Sequence, residues 1–189
     1  MTTSSDISPV VGRLVELTPD AEADISRLLA QLTDEASADS ARISEMLALP
    51  HCHLLVARAG ERIVGMASVC IYTIPTGRRA WIEDVVVDAR WRGRGIATRL
   101  VESAIDQARR VSPCTVMLTS RPSRVAANRL YRHMGFGSKE TNVYKPEFGI
   151  SDSRFSCYAR FPTGAYYICP PNNMDGKMQN CKVQMKFTL

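Results

Sequence analysis

Apolar residues recur along this chain with two periods, and the changes between them lay out its elements. Arg13 to Thr18 alternates polar and apolar side chains and reads as a first strand. Ile25, Leu28, Leu29 and Leu32 then fall at helical spacing, so Asp20 to Leu32 reads as a helix with a cap within Thr18 to Asp20. A second helix, about Ser37 to Leu49, ends before Pro50. His53 to Ala59 and Ile63 to Ile74 are strand-like runs, joined by Gly60-Glu61 as a tight hairpin turn. Pro75-Thr76-Gly77 marks the next turn, ahead of a strand around Trp81. Gly95 to Val111 reads as a third helix, with Ile96, Leu100, Val101, Ala104, Ile105 and Ala108 in a stripe wide enough to pack on a sheet. Thr115 to Thr119 is a short strand, Pro122 opens a fourth helix and Gly135 closes it. Phe136 to Tyr144 supplies the last strand or hairpin. The order βααβββαβαβ predicts an α/β domain that starts antiparallel and gains a parallel join in its middle.

One junction in this series carries chemistry. The run Trp81-Ile82-Glu83-Asp84-Val85-Val86-Val87-Asp88 leads at once into Arg92-Gly93-Arg94-Gly95-Ile96-Ala97. A buried strand thus breaks into a basic, glycine-punctuated loop that opens a helix. Bare backbone N–H groups and the positive end of a helix dipole make such a junction an anion cradle. Glycines at 93 and 95 remove side chains that would keep a pyrophosphate off the backbone. Arg90, Arg92 and Arg94 add positive charge around it. The loop lacks the Gly-Lys-Ser/Thr ending of a P-loop and the third glycine of a dinucleotide-binding turn.

Arg92-Gly93-Arg94-Gly95-Ile96-Ala97 matches the pattern Gln/Arg-x-x-Gly-x-Gly/Ala of the acetyl-CoA loop in the GCN5-related N-acetyltransferase (GNAT) family. Downstream, Ala127-Asn128-Arg129-Leu130-Tyr131-Arg132-His133-Met134-Gly135-Phe136 resembles that family's second signature, Ala-x-x-Leu-Tyr-x-x-x-Gly-Phe. The two motifs stand in the family's order, and the resemblance covers residues 10 to 146. It implies an α/β GNAT fold, a mixed central sheet of about 6–7 strands flanked by about four helices. It also implies that the Trp81 and Thr115 strands splay apart and hold the pantetheine arm of acetyl-CoA like an added strand.

From the same resemblance follow a co-substrate, acetyl-CoA, and a reaction, transfer of its acetyl group to a primary amine by direct attack in a ternary complex. The backbones of Val85, Val86 and Val87 would pair with the pantetheine amides. Arg92, Gly93, Arg94, Gly95, Ile96, Ala97 and Thr98 would hold the pyrophosphate, and Asn128 would bond the pantetheine or pyrophosphate region. Tyr131 corresponds to the family's general acid near the sulfur; the other reading is a tyrosine packed on its helix. Glu83 is the candidate base: simple alternation puts it on the face of Val85 and Val87, beside the cleft, where burial raises a carboxyl pKa. The other reading of Glu83 is a structural partner of one of the arginines. Where the family often has asparagine, this chain has Arg124, which meets a phosphate or is solvated. A small-molecule amine is favoured over a protein N-terminus or lysine as acceptor. The alternative is a non-catalytic GNAT-fold module that binds acyl-CoA or a partner; under either reading a homodimer is open.

Charge and composition fit an anionic co-substrate. Residues 1–61 carry 4 basic and 10 acidic side chains, whereas residues 62–146 carry 15 basic and 6 acidic. The basic residues cluster around one loop and two helices without interleaved aromatics, so nucleic acid is not the expected partner. His51 and His53 lack further ligands at metal spacing, and the six cysteines form no Cys-x-x-Cys pair, so no metal is expected. Cys52, Cys70 and Cys114 lie in apolar runs and read as buried free thiols. No apolar run is long enough for a membrane span, and the polar start is unlike a secretory signal, so the cytoplasm is the expected location. The organisation expected is a flexible segment 1–10, a GNAT domain 11–146 and an atypical extension 147–189. That extension holds 7 of the 13 aromatics and keeps no clean period. A β-hairpin (Cys157 to Phe161 with Ala165 to Ile168), a disordered tail and translation beyond the natural frame all remain open for it.

Overall fold

In the computed structural model, which describes residues 8–32, 38–143, 158–160 and 166–168, five strands form one sheet. They are β1 (Val10–Arg13), β2 (Cys52–Ala59), β3 (Arg62–Ile74), β4 (Gly77–Val87) and β5 (Cys114–Leu118), paired in that order. The first three pairings are antiparallel, and β4 runs parallel to β5. Helices α1 (Pro19–Leu29), α2 (Ser40–Ala48), α3 (Ile96–Arg109) and α4 (Val125–His133) complete the domain. The parallel join has α3 as its crossover, as a parallel pair requires.

The sheet is covered on both faces. Leu55, Ala57, Val69, Ala80 and Ile82 pack with Ile96, Leu100, Val101 and Ala104 of α3. Leu54, Val56, Met66 and Val86 pack with Ala21, Ile25 and Leu28 of α1, with Ile43, Met46 and Leu47 of α2 at the margin. Each fully buried Leu or Ile in these layers contributes roughly 1.5–3 kcal/mol. An ion network around the buried Asp24 pins α1 to the sheet. Asp24 accepts from Arg62 Nε at 2.9 Å and from the Ile63 N–H at 2.7 Å, and Arg27 bonds Asp24, Asp88 and the Ile63 carbonyl.

Several boundaries differ from the sequence expectation, each for a local reason. The first strand lies at Val10–Arg13, ahead of the expected Arg13 to Thr18 and sharing only Arg13 with it. Alternation fits either register, but Thr18 is taken as the cap of α1, its Oγ1 accepting from Ala21 N at 3.2 Å. Helix α2 starts at Ser40 because Asp39 caps it, accepting from Ala41 N and Arg42 N. Helix α4 starts at Val125 rather than Pro122. Phe136 to Val143 forms no strand: Lys139, Glu140, Thr141 and Asn142 give it no apolar alternation with which to join the sheet. Among the described residues the main sheet therefore has five strands where six or seven were expected, and Tyr144 lies outside those residues.

The chain divides after Ser138. In its second part, β6 (Tyr158–Arg160) and β7 (Tyr166–Ile168) form a separate antiparallel ladder with Ala159 opposite Tyr167. The rest of the expected extension, and residues 1–7 of the expected flexible segment, lie outside the described residues.

Candidate active site

The site starts from a defect in β4. Glu83 stands opposite Ser68, yet Val86 stands opposite Met66, so Ala67 of β3 faces two residues, Asp84 and Val85. Asp84 absorbs the extra residue with a φ of 51°, a conformation aspartate tolerates better than most. Pairing with β5 ends at Ile82 opposite Leu118, immediately before this bulge. Among the described residues, the edge of β4 from Glu83 to Val87 that would meet β5 has no strand partner, and a slot opens between the two. Unpaired backbone groups along an open strand edge are a template for another extended chain.

The bulge also corrects the expected placement of Glu83. Before it, Ala80 and Ile82 face α3; after it, Val87 faces α3 and Val86 faces α1. Glu83 therefore shares the α1 face with Ser68, and not the face of Val85 and Val87, because one inserted residue reverses the alternation. Its side chain is exposed there. Partial burial and the neighbouring Asp84 charge hold its pKa above the ordinary carboxylate value, against a hydrogen bond from Trp81 that lowers it.

Beyond β4 the chain forms the cradle. Asp88 caps the single turn Ala89–Trp91, accepting from Arg90 N at 3.0 Å, and Arg92 Nε donates to Val87 O at 3.1 Å. Gly93 and Gly95 have φ of 77° and 71°, and a Cβ at either would project into open space. Gly95 caps α3 without a side-chain bond, which leaves the first-turn N–H groups of Ile96, Ala97 and Thr98 for a ligand. Arg94 stacks on Trp91 at 4.7 Å from the ring centroid and does not line the cleft. The cradle is thus mainly backbone, with arginines around it.

A cleft of about 710 Å³ joins these parts. Val85, Val86, Val87, Arg92, Gly93, Gly95, Ile96, Ala97 and Thr98 line it from one side, and Ala127, Leu130 and Tyr131 of α4 from the other. Tyr131 is buried, meets Phe136 edge-on at 6.1 Å between ring centroids, and has its pKa raised by burial against the opposing charge of Arg124. Asn128 is not on the wall; its Nδ2 donates to Arg121 O at 2.9 Å and ties the preceding loop to α4. Arg124 is on the wall and donates to Leu32 O at 3.0 Å.

Sequence reasoning missed the contribution of α1's C-terminal end. Gln31 and Leu32 line the cleft, and Gln31 Oε1 accepts from Ala89 N at 2.9 Å, while Arg27 holds Asp88 at the root of the cradle. These residues lie more than fifty positions upstream of the loop, and no short motif links them to it.

Comparison with known proteins settles the family. The family model described as "Acetyltransferase (GNAT) family" matches residues 22–136. The chain belongs to the GNAT family. The GNAT match spans both signature motifs and the bulged strand between α1 and Phe136. Among relatives, "N-alpha-acetyltransferase RimI" of Mycobacterium tuberculosis is 34% identical over 96 residues, 51% of this chain and 59% of that protein. "Glucosamine 6-phosphate N-acetyltransferase 1" of rice (Oryza sativa subsp. japonica) is 34% identical over 148 residues, 70% of this chain and 87% of that protein. The crystal structure of glucosamine-6-phosphate N-acetyltransferase from Arabidopsis thaliana superposes with a TM-score of 0.61 at 23% identity, over 75% of this chain and 99% of that one, a likeness of fold. The GNAT family supplies acetyl-CoA as the expected co-substrate, and the open cradle and unpaired strand edge fit its pyrophosphate and pantetheine. Among the described residues no cluster of three or more His, Cys, Asp or Glu side chains is placed to hold a metal, and no helix is long and apolar enough to cross a membrane.

Proposed function

We propose that this chain is an N-acetyltransferase that moves the acetyl group of acetyl-CoA to a primary amine by direct attack in a ternary complex. The observation that carries the reading is the bulge at Asp84. It parts β4 from β5 and aims the strand into the Gly93–Gly95 cradle; Tyr131 lines the cleft on the α3 face, and Glu83, off the cleft wall, stands on the other face where the strands part. A thioester lying in that slot is reachable from both faces.

Each residue then has a distinct task. Backbone groups of Val85 to Val87 align the thioester arm, and the cradle from Arg92 to Thr98 neutralises the pyrophosphate. Glu83, or a water it orients, takes the proton of the attacking amine, and its raised pKa makes it a stronger base than an ordinary carboxylate. An unpaired N–H of the splayed strand is available to the oxyanion. Tyr131, kept protonated by burial, donates to the departing thiolate. A small-molecule amine is favoured as acceptor, in keeping with the amino-sugar substrate in the name of the relative that aligns over 87% of its own length. Incubating the full chain with acetyl-CoA and a panel of amino sugars, other small amines and peptides tests this. Acetylated amino sugars or small amines with matching CoA release support the reading. Acetylation confined to peptide N-termini or lysines overturns the acceptor class, and no product from any amine overturns the reaction.

A further inference from the structure

Cys52 of β2 and Cys70 of β3 are direct partners on adjacent antiparallel strands, with sulfurs 3.2 Å apart and both thiols free. The flanking pair is joined by a bond from Ile71 N to His51 O at 2.8 Å. The cysteines thus occupy a non-hydrogen-bonded position, where facing Cα atoms approach to about 4.5 Å. That spacing lies within the range of natural disulfides, and a small side-chain rotation closes the sulfurs to about 2.05 Å. Nothing in the acetyl-transfer mechanism uses either thiol.

We propose that Cys52 and Cys70 form a reversible dithiol–disulfide site that accepts a two-electron oxidant, either hydrogen peroxide or a low-molecular-weight disulfide. With peroxide, one thiol is oxidised to a sulfenic acid and water leaves. The second sulfur then attacks the first, the S–S bond forms, and a second water carries away the hydroxyl and the remaining thiol proton. With a small disulfide, the first thiol forms a mixed disulfide and releases one small thiol, and the second displaces the other. Both routes oxidise the pair by two electrons and reduce the reagent by two.

Geometry sets the product and environment sets the pace. Cys70 is half-buried and Cys52, its cross-strand partner, is buried. Burial, the contact with Cys52 and the carboxylates of Glu83 and Asp84 push the Cys70 thiol up to about 12. Little thiolate exists at neutral pH, so the first step is slow. The second step follows at once, because its partner is already in place. The site also lies beside the reaction floor: Cys52, Cys70 and Trp81 form one row across β2, β3 and β4, and Leu54, Ser68 and Glu83 form the next row on the same face. The pairing is a property of the sheet and does not depend on Glu83 being the base.

Peptide mapping of the full chain tests the proposal. Cleavage after arginine and lysine places Cys52 in peptide 43–58 and Cys70 in peptide 63–78, each with a single cysteine. The reduced protein is incubated with peroxide or oxidised glutathione, remaining thiols are blocked with N-ethylmaleimide, and the digest is kept non-reducing. The expected result is a linked 43–58/63–78 species as the main form of both peptides, abolished by dithiothreitol and missing from Cys70→Ser. Recovery of both peptides as separate maleimide or glutathione adducts, under conditions that oxidise Cys114, overturns it. So does linkage of either peptide mainly to a different cysteine.

Discussion

Replacing Asp24 by alanine removes a carboxylate that is 2% exposed and joins α1 to β3. The bonds it makes contribute unequally. The Ile63 N–H belongs to a fully buried residue, and losing its acceptor at 2.7 Å strands a donor at a cost of about 1–3 kcal/mol. Arg62 is 66% exposed, so water takes the place of the carboxylate and that ion pair adds little. Arg27 keeps Asp88 and the Ile63 carbonyl and adds little. Asp24→Ala should therefore destabilise by roughly 1–3 kcal/mol, and Asp24→Asn, which retains an acceptor, by less. Urea unfolding reads both as a lower midpoint at unchanged slope. Acid adds a second arm. Burial alone raises the Asp24 pKa, but Arg62, the Ile63 N–H and Arg27 outweigh it and hold the carboxyl below its ordinary 3.8. Its stabilisation is present above that value and is lost as pH falls through the lower folded-state pKa. Wild type should thus lose stability over that window more steeply than Asp24→Asn. A cost under about 1 kcal/mol for Asp24→Ala, or equal acid slopes, refutes the reasoning.

Three further outcomes concern the site. Gly95→Ala, at a φ of 71° with open space around the new methyl, should cost about 1–2 kcal/mol of stability and weaken acetyl-CoA binding by about 10–100-fold; calorimetry at unchanged affinity would remove the cradle assignment. Tyr131→Phe should lower kcat by about 10²–10⁴-fold with acetyl-CoA affinity nearly intact, and unchanged turnover would rule out the acid role. The rate should fall on acidification with a midpoint above the ordinary carboxylate value, since Glu83 acts only when deprotonated and its pKa is raised. Glu83→Gln should abolish that limb, and Trp81→Phe, which removes the bond that lowers the pKa, should move it to higher pH; a limb unmoved in both variants contradicts the base assignment.

The loop half of the candidate site was legible because it is local. Gly93, Gly95 and the first turn of α3 are near neighbours in the chain whose types state their backbone demands, and the structure places them together on one wall. The stripe on α3 was legible for the same reason: Ile96, Leu100, Val101, Ala104 and Ala108 are all buried. What escaped was non-local or non-periodic. Alternation cannot register an inserted residue, so the bulge at Asp84 reversed the face assigned to Glu83. Gln31 reads as the polar end of an amphipathic helix; its bond to Ala89 exists only because the fold brings α1 beside the cradle. Arg124 was noticed as a departure from the family motif, but its partner, the Leu32 carbonyl, lies 92 residues away.

The most direct test of the account is a calorimetric titration of the full chain with acetyl-CoA, run beside Gly95→Glu. The account predicts one site with a Kd on the order of micromolar in the wild type, and no binding in the variant, where a carboxylate fills the cradle and repels the pyrophosphate. Absence of binding by the wild-type chain, or undiminished affinity in Gly95→Glu, would contradict it.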